Sequence, residues 1–158
     1  MRKKFFQLLA EEMAINKEII LLTADLGYGL LDNIRDTYPN RFYNVGSSEQ
    51  LMIGCAAGFA LEKKIPICYS ITPFLLYRPF EFIRNYMQFE NLPIKLAGGG
   101  RDKDYGHLGY THWAEDDLNI LNAFSNIQKM KPATEIELQL DFKNFLYNNQ
   151  PSYINLIK

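Results

Sequence analysis

The chain has only two cysteines, two histidines and one tryptophan in 158 residues. Cys55 and Cys68 lie in apolar stretches, with no metal-ligand spacing and no set of partners for a disulfide framework. That excludes a zinc module and a disulfide-stapled secreted scaffold, and it points to a reducing cytoplasmic compartment. His107 and His112 do not share a helical face and have no cysteine nearby, so no metal site is expected of them. Charge of one sign is lacking as well: 17 basic residues face 18 acidic ones, for a net charge of −1. Such a balance exerts no long-range pull on phosphate backbones or anionic lipid, which argues against nucleic-acid and membrane partners. No apolar run is long enough to span a bilayer. The start, Met1 to Phe6, imitates a signal peptide, but Glu11 and Glu12 close the apolar stretch too early. What remains is a chain 47% hydrophobic and 14% aromatic, enough for one globular domain over residues 1–158 with a single buried core.

Phe5, Leu8, Leu9 and Met13 recur at helical spacing and predict an amphipathic opening helix. Short apolar runs then alternate with helical patterns. Strands are expected at Glu18 to Ala24, Arg41 to Val45, Ile65 to Ser70, Pro93 to Ala97, Ile127 to Met130 and Tyr153 to Leu156. Helices are expected at Leu30 to Tyr38, Glu49 to about Glu62, Arg78 to Phe89, Glu115 to Phe124 and Thr134 to Tyr147. Ser47 or Ser48 is placed to cap the helix that opens on Glu49. In that helix Gly54 and Gly58, with Ala56, Ala57 and Ala60, form a thin face. Mid-helix glycine costs about 1 kcal/mol against alanine, so something must approach closely there. The alternation predicts an α/β, doubly wound, mainly parallel sheet with helices on both faces. The carboxyl ends of its strands are where a ligand site belongs.

Four strand-to-loop junctions should therefore open onto one rim: Asp25 to Gly29, Gly46 to Gln50, Tyr69 to Arg78, and Asp104 to His112. Glu49 stands out among their residues. At a strand–loop–helix junction followed by apolar and small residues, its carboxyl should be partly desolvated. Desolvation raises such a group above its reference of about 4.3 and suits it to proton exchange with a weakly basic ring nitrogen. The alternative is that Glu49 only complements the positive end of the helix dipole. Phe74 and Tyr77 read either as core or as a ligand platform. Gly98-Gly99-Gly100 is no dinucleotide fingerprint, since no GxGxxG opens a helix there, and it reads as tight backbone turning. Arg101 to Asp104 reads as a solvated loop tip.

Taken together, these pieces carry a resemblance. The segment from Arg41 through Asn44, Gly46, Glu49 and Gln50 to Gly54, with the small-residue helix to Ala60, resembles the pyrimidine-binding domain of transketolase-like, thiamine diphosphate-dependent enzymes. Tyr69-Ser70, Phe74-Leu75, Arg84-Asn85, Gly109-Tyr110-Thr111-His112 and Glu115-Asp116-Asp117 follow in that family's order. The resemblance implies that Glu49 hydrogen-bonds the cofactor's aminopyrimidine and promotes the imino form that activates the thiazolium carbon. It implies that Phe74 stacks on the pyrimidine, that Tyr69 and Tyr77 wall it, that His112 faces the substrate and that Asp25 lies near the cofactor. It also implies a subunit interface beside the cofactor at the Gly54–Gly58 helix.

The G-D-G…N motif that such enzymes use to hold the diphosphate through Mg²⁺ is missing, as is a third, C-terminal domain. The chain is therefore expected to be one subunit of a split transketolase-like enzyme. A diphosphate-binding partner should supply Mg²⁺, and two copies of each chain should assemble around a small sugar or keto substrate. Gly29 stands where many relatives carry a serine for sugar phosphate, and the histidine preceding the GxTH segment is replaced by the Gly98–Gly100 region. Both put a sugar-phosphate substrate in question, and Arg2 is only a weak match to a phosphate-binding arginine. The beta subunit of a 2-oxo-acid dehydrogenase or decarboxylase is the nearest rival, and a non-catalytic interaction protein of the same fold is the other.

Overall fold

A computed structural model describes residues 1–158. It contains a six-stranded sheet of order β2-β1-β3-β4-β6-β5, parallel at every pairing. The strands are β1 (Ile19–Thr23), β2 (Phe42–Asn44), β3 (Ile65–Ile71), β4 (Lys95–Gly99), β5 (Gln128–Met130) and β6 (Ser152–Leu156). The main helices are α1 (Arg2–Ile15), α2 (Asp32–Thr37), α3 (Glu49–Leu61), α4 (Thr72–Tyr77), α5 (Phe80–Phe82), α6 (Asp117–Leu121) and α7 (Glu135–Tyr147). A π-helical segment, Ile83–Phe89, follows α5.

Alternation along the strands divides the core. Ile20, Leu22, Cys68, Leu96 and Tyr153 point to the face covered by α3, α4 and the π-helical segment. Ile19, Leu21, Ile67, Ala97 and Ile154 point to the face covered by α1, α2 and α7. Each fully buried aliphatic side chain contributes about 1.5–3 kcal/mol, which outweighs the weak amphipathicity of single helices. The central strands β1, β4 and β6 are buried at every residue, whereas the edge strands are only three residues long, which limits the open edge they present.

Several expected boundaries shift, each for a physical reason. The helix expected from Arg78 begins earlier, at Thr72, because Pro73 sits in its first turn where a missing N–H costs nothing. Helix α6 is shorter than expected, and α2 starts at Asp32. Ser48 is the N-cap of α3, but its side chain makes no capping hydrogen bond. Gly98 and Gly99 are strand residues, not a turn; a Cβ on them would lie 2.6 Å from Thr72 Oγ1 or 2.8 Å from the Tyr69 hydroxyl. Only Gly100 turns, with φ +95° and Tyr105 pressed against it. On α3, Gly54 admits Phe82 at 3.3 Å from where a Cβ would stand, while Gly58 meets nothing within 4 Å. The Arg101 loop is tied down and not a solvated tip: Arg101 donates to Asn155 Oδ1 at 2.7 Å and to the Pro132 carbonyl at 2.8 Å.

At the amino end of β4, Lys95 is buried, with Nζ 2.7 Å from each of Asn148 O, Asn148 Oδ1 and Gln150 O. Burial pushes its ammonium down to about 7. This lysine pins the turn between α7 and β6 at the end of the sheet opposite the loops described next.

Candidate active site

Because every strand runs the same way, the four expected junctions do meet at one rim. Helix α2 and helix α3 lie on opposite faces, so the chain reverses its winding between the adjacent strands β1 and β3. That gap is the switch point at which doubly wound sheets bind ligands.

Glu49 is the first residue of α3 and only 1% exposed. Ser70 shares the strand face of Cys68, two residues earlier, and that face is the one α3 covers. Its hydroxyl consequently donates to Glu49 Oε1 at 2.9 Å. The other carboxylate oxygen, Oε2, accepts from Arg78 Nη1 at 2.8 Å. Phe74 and Arg78 are four residues apart, one helical turn, so they stack on one side: the guanidinium carbon lies 3.8 Å from the centre of the Phe74 ring. A buried carboxylate and a half-buried aromatic face thus stand side by side, joined by one flat cation.

His112 meets Phe74 edge-on, with ring centres 4.9 Å apart. Thr111 Oγ1 lies 3.0 Å from His112 Nδ1, which leaves Nε2 available. Tyr105 lies 6.2 Å beyond His112, and Arg2 donates to the Tyr105 hydroxyl at 2.9 Å. Phe74, Tyr77 and Arg78 line a cavity of about 600 Å³ with Thr111, Trp113 and Asp116. Tyr77 donates to Asp116, and burial, with that carboxylate second, pushes its phenol up to about 12.

Beneath this wall runs a buried polar floor. Thr72 Oγ1 donates to the Gly100 carbonyl at 2.7 Å, and Asn155 Nδ2 reaches the same carbonyl at 3.2 Å. Tyr153 donates to Asp117 Oδ2 at 2.8 Å, while Lys131 pairs with the other Asp117 oxygen at 3.4 Å. These bonds tie the start of α4 to the exit of β4 and to α6, and so hold Phe74 in register with the segment that carries His112.

Glu49, Phe74, Tyr77 and His112 come together as expected; two other expected residues do not. Tyr69 is 1% exposed and packs edge-on against Phe6, with ring centres 4.8 Å apart. One residue separates it from Ser70, so it faces the α1 side of the sheet, away from Glu49. Asp25 is exposed; its contacts are an N–H bond to Asn44 Oδ1 at 2.9 Å and the Tyr28 hydroxyl. Its φ of 54° marks a strained turn at the end of β1. Sequence reasoning assigned no role to Ser70, Arg78 or Tyr105. The signals for the first two were there: strand parity with Cys68, and the four-residue step from Phe74.

A family model described as the transketolase pyrimidine-binding domain matches residues 1–158. The chain belongs to the transketolase pyrimidine-binding domain family. This pyrimidine-binding chain is 34% identical over 119 residues to one subunit of the apulose-4-phosphate transketolase of Actinobacillus succinogenes, a match covering 75% of this chain and 38% of that protein. It is 29% identical to a putative transketolase C-terminal section of Methanocaldococcus jannaschii, over 99% of this chain and 50% of that one. A solved split-gene transketolase, described as an inactive beta4 tetramer, superposes with a TM-score of 0.85 at 29% identity, over 98% of this chain and 50% of that one. Transketolase from Campylobacter jejuni shares the fold, with a TM-score of 0.88 at 18% identity, over 99% of this chain and 25% of that one. The chain therefore spans about half, or less, of the length of the relatives it matches.

Proposed function

We propose that this chain is the pyrimidine-binding part of a split transketolase, which shares thiamine diphosphate with a second, diphosphate-binding chain. The observation that carries the reading is the Glu49–Arg78–Phe74 stack. A flat group with N–H donors already lies on Phe74 and bonds the buried carboxylate, and an aminopyrimidine has the same shape and donor chemistry. In this reading Phe74 supports the ring face, Glu49 holds a ring nitrogen and exchanges a proton with it, and Tyr77 closes the outer wall. Ser70 fixes the Glu49 rotamer through Oε1 and leaves Oε2 for the ring. His112, at the edge of Phe74, orients the carbonyl substrate through Nε2.

Bound thiamine diphosphate supplies the electron sink that lets a carbon–carbon bond beside a carbonyl break and form again. A hard cation such as Mg²⁺ needs clustered oxygen ligands, and no group of three His, Cys, Asp or Glu side chains is arranged to hold one. The Mg²⁺ and the diphosphate are accordingly assigned to the partner, in an assembly of two copies of each chain. Support comes from relatives whose names describe transketolase subunits and sections.

Reconstitution tests this. With the diphosphate-binding chain and thiamine diphosphate, two-carbon ketol transfer between sugars is expected, and neither chain should catalyse it alone. Decarboxylation of a 2-oxo acid without ketol transfer would replace this reading with the decarboxylase one.

A further inference from the structure

Arg78 engages the same two groups that the proposed function gives to the cofactor ring. Its Nη1 donates to Glu49 Oε2 at 2.8 Å and its guanidinium carbon is 3.8 Å from the centre of the Phe74 ring. Two flat groups cannot occupy one aromatic face and one carboxylate oxygen together. Arg78 is also free to leave. It follows the last residue of α4, and its side chain is 46% exposed against 1% for Glu49. A landing place exists on the same cavity, whose wall includes Glu115 and Asp116. Asp116 is held there only by the Tyr77 phenol, and Glu115 by an exposed pair with Lys103 at 3.4 Å.

We propose that Arg78 is an internal competitor for the aminopyrimidine: it covers Phe74 and Glu49 in the free chain, and crosses to the Glu115–Asp116 side when the ring enters. The inference rests on the function proposed above and adds a consequence for the chemistry. A guanidinium never gives up its proton in a protein, so Glu49 held by Arg78 has no partner with which to exchange one. Once Arg78 has left, the buried carboxylate needs another N–H donor, and a ring nitrogen that can gain and lose a proton fills that need. The same side chain thereby shields Phe74 and keeps the carboxylate charge-compensated until the cofactor arrives.

The test uses the chain itself and 4-amino-2-methylpyrimidine, the ring without the rest of the cofactor, in a titration followed by NMR. Arg78→Ala is expected to bind this ring about tenfold more tightly than the wild type, the scale of a lost cation–aromatic stack and ion pair. Adding Glu49→Ala to Arg78→Ala should remove the gain. Arg78→Gln gives the same comparison if the alanine variant does not fold. Equal or weaker binding by the folded Arg78 variant overturns the competitor role and leaves the proposed function standing. Absence of binding by every variant overturns both.

Discussion

Glu49→Ala, assembled with the diphosphate-binding partner, is expected to lower turnover by about 10²- to 10⁴-fold, the range over which positioned proton transfer contributes. The size of the effect follows from geometry. The carboxylate is 1% exposed and its two oxygens have separate tasks: Oε1 accepts from Ser70, and Oε2 is the oxygen a ring nitrogen would meet. No neighbouring carboxylate can replace it; Asp116 and Glu115 lie on the far wall of the cavity, and Asp25 bonds only within its own junction. Assembly should survive the change. Arg78 is half-exposed and can turn into solvent, so the variant leaves no buried cation stranded, and Ser70 loses one acceptor at a cost of about 1 kcal/mol. Turnover and native mass measured on the same preparation separate the two effects. An unchanged rate would favour the non-catalytic reading of this fold.

Lys95→Met should have the largest effect on stability, and the loss should depend on pH. Three oxygen acceptors lie 2.7 Å from Nζ, and methionine fills the volume while leaving them without a donor. At about 1 kcal/mol for each net hydrogen bond, with water reaching part of the exposed turn, the loss is about 2 kcal/mol near pH 9. Burial lowers the folded lysine from 10.5 to about 7, so between those values the unfolded chain binds more protons than the folded one. Wild-type stability therefore rises with pH from about 7 towards 10. Below 7 both states carry the charge and the slope vanishes, leaving the folded state with the full cost of a buried ammonium. Urea unfolding at pH 6.5 and pH 9 checks both parts. Lys95→Met should lose more at pH 9 than at pH 6.5, and a difference that does not change with pH would contradict the account.

How much of this was legible in the sequence depends on the range of the interaction. The parallel sheet and its helices follow from apolar runs such as Ile19–Leu22 and Ile65–Cys68, whose burial is set by composition alone. Glu49 and Phe74 were legible because the residues around them, Arg41 to Gly54 and Tyr69 to Leu75, form a long family-like pattern. The errors came where side-chain direction or packing across the sheet decides. Tyr69 differs from Ser70 only in parity, and one residue sends it to the α1 face instead of the site. Gly98 and Gly99 resemble a turn in sequence; they are glycines because Thr72, Tyr153 and Tyr69 fill the space a Cβ would need. Arg101 seemed a solvated charge because its partners, Asn155 and the Pro132 carbonyl, lie more than thirty residues away in sequence. The link from Arg78 to Glu49 spans 29 residues and joins two junctions that only the folded rim brings together.

The most direct measurement is the structure of the reconstituted two-chain complex with thiamine diphosphate bound. The account predicts the Glu49 carboxylate in hydrogen-bond contact with a ring nitrogen, the Phe74 ring against the pyrimidine face, and the diphosphate on the partner chain. A cofactor lying wholly within one chain, or a pyrimidine ring remote from Glu49, would contradict it.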